Sequence, residues 1–247
     1  MSLKPPPYNP GIHPTLTDEL KASVEAKVAA TLDILREVAR DFSPATFANS
    51  FGAEDMVLTD LIATNALDIE IFSLDTGRLP AETYTLMADA ELRYDLKFQV
   101  YFPRNVEVED YVRTHGINAF YESVDLRKAC CHMRKVEPLQ RALAGKKAWI
   151  TGMRAEQSTT RSHLAIREHD DAHGLEKFNP LTAWTEKEVW AYIHQHSVPY
   201  NALHEQFYPS IGCAPCTRAI SVGEDVRAGR WWWENPESKE CGLHVKS

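Results

Sequence analysis

Ala45-Thr46-Phe47-Ala48-Asn49-Ser50-Phe51-Gly52-Ala53-Glu54-Asp55, followed after a helical interval by Ile69-Glu70-Ile71-Phe72-Ser73-Leu74-Asp75-Thr76-Gly77, is the stretch on which the fold turns. The apolar run over 45–49 reads as a buried strand, the spacing over 55–64 as a helix, and 69–74 as a second strand. Strand, glycine-containing turn, helix and strand at this pitch make a βαβ unit, and such units build parallel sheets. The same alternation continues outward, with a helix expected over 81–94, a strand over 98–102 and another short strand over 148–151. Thr185-Glu186-Lys187-Glu188 forms a capping box, so a helix should run from there to about 196, with Pro199 past its end. Upstream, Leu20, Val24, Val28, Leu32, Leu35 and Val38 recur every three or four residues, the apolar face of an amphipathic helix. The expected fold class is α/β: a single domain with a mostly parallel central sheet flanked by helices.

Composition excludes several function classes. Of 247 residues, 44% are hydrophobic and 25% charged, enough to bury a core without a disulfide framework. Lys and Arg total 27 against 35 Asp and Glu, a net charge of −8, the wrong sign for a nonspecific nucleic-acid binder. No apolar run approaches the roughly 20 residues that span a bilayer, so no membrane partner is expected. The first twenty residues carry prolines at 5, 6, 7, 10 and 14 and no apolar signal core. A cytoplasmic, reducing compartment follows as the expectation, and there cysteines more often serve metals or catalysis than disulfides.

The five cysteines divide four plus one. Cys130 and Cys131 are adjacent, Cys213 and Cys216 form a C-x-x-C around Ala214-Pro215, and Cys241 stands alone near the end. A C-x-x-C turn lets two thiolates face one centre, zinc or iron–sulfur. Adjacent cysteines suit a single small ion poorly and a multi-iron cluster better; the bland alternative is four buried apolar thiols. Ser50-Phe51-Gly52-Ala53-Glu54-Asp55 joins a strand to a helix N-terminus, a candidate phosphate cradle or an ordinary loop. Leu74-Asp75-Thr76-Gly77 lies at the sheet edge where open α/β folds bind ligands; Asp75 there would hold a ribose hydroxyl or cap the next helix. Basic residues gather at Arg154 and Arg161, and at Arg227 and Arg230 before Trp231-Trp232-Trp233, as anion ligands or as solvated surface charge. His169 and His173 have a metal-like spacing but read better as part of an exposed acidic turn.

In combination these residues resemble the assimilatory adenylyl-sulfate reductases, the iron–sulfur branch of the PAPS/APS reductase family. The matching pieces are the 50–55 and 74–77 loops, Cys130-Cys131 with Arg134-Lys135-Val136-Glu137-Pro138, Thr160-Arg161-Ser162, Gly212-Cys213-Ala214-Pro215-Cys216 and Glu240-Cys241-Gly242-Leu243-His244, all in family order. The resemblance implies an adenine nucleotide alpha-hydrolase-like sheet and three parts: a leader over 1–16, a nucleotide-binding reductase domain over 17–230 and a mobile tail over 231–247. It implies a 4Fe-4S cluster on Cys130, Cys131, Cys213 and Cys216, and Cys241 as the nucleophile that attacks adenylyl sulfate. Thioredoxin, or a glutaredoxin-like protein, would then release sulfite. Substrate contacts would come from Ser50, Phe51, Gly52, Ala53, Glu54, Asp55, Leu74, Asp75, Thr76, Gly77, Lys135 and Arg161, with Arg227, Arg230 and His244 supplying cations near the tail thiolate. Glu54-Asp55 departs from the ATP pyrophosphatase loop, which has a small hydroxyl residue there.

Three rivals accompany this expectation. Reduction of 3′-phosphoadenylyl sulfate would use the same nucleophile and fold. An iron–sulfur tRNA-thiolating enzyme would need an intact Ser-Gly-Gly loop and a basic surface, and this chain has neither. A noncatalytic, metal-stabilised nucleotide sensor is opposed only by Cys241 in its tail motif. A homo-oligomer is compatible with all of these.

Overall fold

The structure, a computed structural model, describes residues 9–157 and 164–235. Among them six strands form one sheet: β1 (Ala45–Ala48), β2 (Glu70–Leu74), β3 (Gln99–Tyr101), β4 (Ala148–Ile150), β5 (Arg167–Asp170) and β6 (Leu175–Phe178). Their order is β3-β2-β1-β4-β6-β5, with every pairing parallel except β5 on β6. The expected strands lie within a residue or so of these bounds.

Helices cover both faces, as a parallel sheet requires. They are α1 (Asp18–Asp41), α2 (Ala53–Thr64), α3 (Ala81–Tyr94), α4 (Asn105–His115), α5 (Val124–Cys131), α6 (Glu137–Leu143) and α7 (Glu186–His196). Side-chain alternation along the strands sorts the core. Phe47, Ile71 and Ile150 point into one cluster with α1, α2 and α7, whereas Phe72 and Trp149 point to the other face against Leu139 and Leu143 of α6. The Thr185/Glu188 capping box is formed in full, and Thr17 caps α1 through the Leu20 amide. Buried Asp60 of α2 ties neighbouring helices together by accepting the hydroxyls of Tyr94 (2.9 Å) and Tyr192 (2.5 Å).

The β5–β6 hairpin closes one edge of the sheet with charge. Arg167 pairs with Glu176 and Lys177 with Glu168, an arrangement that discourages edge-to-edge association. His169 and His173 sit at its turn against Glu176 and Asp170, in line with the expected acidic turn. The proline-rich start is tied down from Asn9 onward: Asn9 and His13 both bond Glu205, and Ile12 is buried.

Candidate functional site

A cavity of about 230 Å³ opens beyond the carboxyl ends of β1, β2 and β4, where ligands of open α/β sheets bind. Phe72, Leu74, Leu139, Trp149 and Met153 give it apolar walls, and Ser50, Glu54, Asp55, Thr151, Gln157 and Lys135 contribute polar groups. Flat apolar walls with a few convergent polar groups suit a planar base carrying a polar appendage.

The loop from β1 to α2 is held by its own side chains. Phe51 has φ of +62° and buries its ring against Phe98 in the core, with centroids 5.0 Å apart. Its N–H donates to Asn49 Oδ1 (2.6 Å), and Asn49 in turn donates to Thr59. Asp55 Oδ2 accepts from Ser50 N (2.7 Å) and Ser50 Oγ (2.6 Å). Burial outweighs these bonds and pushes the Asp55 carboxyl up to about 7. Glu54 pairs with buried Arg154 at 2.8 Å, while Gly52 lines the cavity and Ala53 a second hollow behind the loop. A methyl group at Gly152 would collide with Asp55 Oδ1, so glycine is required where the β4 loop passes this carboxylate.

The loop after β2 turns from the cavity toward the cysteines. Leu74 lines the cavity; Asp75, the residue considered for a ribose, accepts from Gly77 N (2.7 Å) and Tyr84 OH (2.8 Å). Thr76 is fully buried and meets Cys213 Sγ at 3.2 Å. Gly77, at φ +69°, leaves room for the Arg134 guanidinium, which donates to Thr76 O at 2.6 Å. Arg78 points to Ile117 O (2.7 Å) and lies over the Phe120 ring.

Cys130, Cys131, Cys213 and Cys216, far apart in sequence, pack into one cluster with Phe120, Trp231 and Trp233. All four are free thiols. Directly after Cys131 the helix widens into a π segment, His132–Val136, before α6 continues the chain. A π turn re-aims successive side chains and is a frequent local feature of functional sites. Arg134 from this turn touches Thr76 and Cys130, and Lys135 lines the nucleotide-sized cavity. Burial raises the Cys130 thiol and, with the neighbouring cysteines, pushes Cys216 up to about 12. Buried Arg230 sits on the Trp231 ring and behind Gly212, where a methyl group would collide with its guanidinium. Arg227 bonds Asp225 through its amide. Arg161, Cys241 and His244 lie outside the described residues.

The profile of the phosphoadenosine phosphosulfate reductase domain matches residues 44–219. The chain belongs to this family. Adenosine 5′-phosphosulfate reductases of Allochromatium vinosum (59% identity, 90% of this chain and 87% of that one), Burkholderia cepacia (53%, 93% and 90%) and Neisseria meningitidis (48%, 94% and 95%) are similar to it. A phosphoadenylyl-sulfate reductase of Candida auris, solved with phosphate, superposes with TM-score 0.67 at 28% identity, over 84% of this chain and 99% of that one. Yeast FAD synthetase, at 15% identity and TM-score 0.56 over 85% of this chain and 72% of that one, shares the fold alone.

Among the described residues no group of three or more His, Cys, Asp or Glu side chains is arranged to hold a metal ion. The fit of this reductase-family chain to an iron–sulfur cluster rests on the donor set and its surroundings. The four cysteines belong to one packed side-chain cluster, and four is the ligand number such a group takes. Around them the indole N–H groups of Trp231 and Trp233 and the Nε–H groups of Arg134 and Arg230 are buried without an acceptor. Thiolate and sulfide sulfur accept such donors, so the residues fit the group. Sequence reasoning missed several members of this site. Trp149 was visible only as part of a short strand, and Gln157 and Thr83 belong to no motif. Arg134 stood in the Cys130-Cys131 motif without a role, and only the π turn separates its direction from that of Lys135.

Proposed function

We propose that the chain reduces adenylyl sulfate to sulfite and AMP in sulfate assimilation, with a thioredoxin or glutaredoxin-like dithiol as the reductant. One observation carries the proposal: the turn that follows Cys130 and Cys131 puts Lys135 into the cavity while Arg134 stays with the cysteines. A cation lining the cavity and two of the four cysteines thereby sit on one continuous helical segment. The relatives at 48–59% identity are named for reduction of the same nucleotide.

In the proposed chemistry the apolar walls hold the adenine and Lys135 balances charge on the phosphosulfate. The Cys241 thiolate attacks the sulfate sulfur, forming an S–S bond and breaking the S–O bond to AMP, which leaves with that electron pair. A dithiol thiolate then attacks Cys241 Sγ, sulfite departs with the S–S electrons, and the second thiol resolves the mixed disulfide. Two electrons pass from the dithiol to sulfur, and Cys241 ends as a thiol. Cys130, Cys131, Cys213 and Cys216 would hold a 4Fe-4S cluster, which would clamp α5 to the 213–216 turn. Arg227, Arg230 and His244 are assigned to the field around the tail thiolate.

The 3′-phosphorylated nucleotide is the second reading, favoured by the name of the Candida auris relative. It would need a free cation near the ribose, and Arg78 is engaged by Ile117 and Phe120. Among the described residues no helix is long and apolar enough to cross a membrane, and a cytoplasmic location is part of the proposal. Anaerobic turnover of adenylyl sulfate with thioredoxin tests the assignment: sulfite and AMP in equal amounts support it, and no sulfite from iron-loaded protein overturns it.

A further inference from the structure

Behind the loop that joins β1 to α2 lies a second hollow of about 430 Å³, larger than the nucleotide-sized cavity. Residues 9–12, the first turns of α2 and α7, the turn holding His204 and Phe207, and the 220–226 segment enclose it. Trp190, Phe207 and Ile220 supply apolar wall, a lining that suits an organic group. Its charged groups do not balance. Glu54, Glu156 and Glu186 line the hollow, with Arg154 as the one cation among its lining residues. The guanidinium is engaged by two of the three: Nε donates to Glu54 Oε1 (2.8 Å) and Nη1 to Glu156 Oε2 (2.7 Å). Glu186, at the exposed rim, forms no salt bridge among the described residues.

A second observation points to a ligand. His204 lines the hollow at 4% exposure, yet its Nε2 has no hydrogen-bond partner. Buried polar atoms are nearly always paired. Burial pulls this imidazole down to about 4, so near neutral pH the ring adds no positive charge to that of Arg154. His204 and Glu186 flank the same indole: the His204 and Trp190 rings meet at 5.1 Å, and Trp190 lies one turn of α7 on from Glu186. No group of three or more His, Cys, Asp or Glu among the described residues is arranged for a metal ion, which favours an organic cation.

We propose that this hollow is a binding site for a small organic ammonium ion with an apolar body, and that its occupation strengthens nucleotide binding next door. The ammonium donates to the Glu186 carboxylate and to His204 Nε2, with the imidazole proton on Nδ1, while the body packs on Trp190 and Phe207. Glu54 and Gln157 line both cavities, and Arg154 ties Glu54 to Glu156. A cation here offsets the carboxylate charge that an anionic nucleotide meets, and each ligand should raise the other's affinity by one common factor. The site is separate from the nucleotide cavity, so it stands whether or not adenylyl sulfate is the substrate.

The test is calorimetric titration of the full iron-loaded chain, under anaerobic conditions, with phenethylammonium, its neutral counterpart 2-phenylethanol, and Mg²⁺. Phenethylammonium should bind once per chain with Kd of about 1 mM or tighter. The alcohol, and phenethylammonium with Glu186→Gln, should each bind at least about tenfold more weakly, because a charge-assisted hydrogen bond is lost. AMP affinity should rise at least about twofold in saturating phenethylammonium. No saturable binding by about 10 mM, equal binding of the alcohol, or an unchanged Kd in Glu186→Gln overturns the site. Mg²⁺ that competes with phenethylammonium and loses affinity in Glu186→Gln overturns the organic cation as its occupant. AMP affinity that does not rise overturns the coupling, and a chain that binds phenethylammonium but no AMP refutes the nucleotide reading alone.

Discussion

Glu234→Ala should be among the most destabilising single changes at the cysteine site. Arg127 is fully buried on α5, three residues before Cys130, and its Nε and Nη2 donate to Glu234 Oε1 (2.9 Å) and Oε2 (2.8 Å). The guanidinium also lies over the Trp231 ring, 4.8 Å from its centroid, and the Trp231 amide donates to Cys216 O. One bidentate pair thus pins the 231–234 segment onto the helix that carries two of the cysteines. Removing the carboxylate leaves a buried guanidinium without its counter-charge, a change that costs about 3–5 kcal/mol. At roughly 2–4 °C per kcal/mol for a chain of this size, Tm should fall by about 6–20 °C. Arg127→Met combined with Glu234→Leu removes both charges and should recover most of the loss, because two apolar side chains leave nothing uncompensated. Anaerobic thermal melting of the single and double variants is the assay, with iron content measured on the same samples. A Glu234→Ala protein within about 1 kcal/mol of the unmodified chain, the usual worth of an exposed pair, would refute the reasoning.

Iron should approach four atoms per chain in anaerobically purified protein, and Cys→Ser at 130, 131, 213 or 216 should strip most of it while Cys241→Ser leaves it in place; stoichiometric zinc instead would contradict the cluster. kcat/KM for adenylyl sulfate should exceed that for its 3′-phosphorylated form by at least about tenfold, roughly 1.4 kcal/mol, since Arg78 is engaged elsewhere; equal efficiencies with purified substrates would show another cation at the ribose. Stability against pH should separate two buried groups. Burial raises Asp55 to about 7, so its contribution is present below the unfolded value and is lost as pH rises toward 7; burial lowers His204 to about 4, so its contribution is present above the unfolded value and is lost as pH falls toward 4. Between pH 5 and 6.5 the two slopes oppose each other at about 1 kcal/mol per unit. Relative to the unmodified chain, Asp55→Asn should gain stability with rising pH and His204→Gln should lose it; parallel curves in denaturant titrations would contradict the shifts.

The elements legible in the sequence were those whose burial imposes a period. β1, β2, β4 and α7 carry runs of core residues or a capping box, and their expected bounds agree with the structure to within about two residues. The 103–147 stretch yielded no elements in advance, because α4 is largely exposed, with Tyr111 its one buried residue, and α5 hands over to a π turn that no hydrophobic period announces. β5 and β6 were not legible as strands: β5 is an edge strand made of charged residues, and β6, though held between β4 and β5, is four residues long with Glu176 and Lys177 interrupting its two buried apolar residues. At the site, glycines and cysteines announced where chemistry gathers but not which way side chains face. Phe51 sits in a loop motif yet serves the core, and Asp75 sits beside a cavity yet bonds Gly77 and Tyr84. Arg134 and Lys135 are neighbours in sequence with different surroundings, a distinction that belongs to the widened turn between α5 and α6.

Mass analysis of the Cys241 peptide after mixing the iron-loaded chain with adenylyl sulfate, without any thiol reductant, tests the central claim most directly. The proposed chemistry predicts one added sulfonate on Cys241, an equal amount of AMP released, and loss of the adduct as sulfite when reduced thioredoxin is added. An unmodified Cys241, or the sulfonate on Cys130, Cys131, Cys213 or Cys216 instead, would contradict the assignment of the nucleophile and with it the proposed reaction.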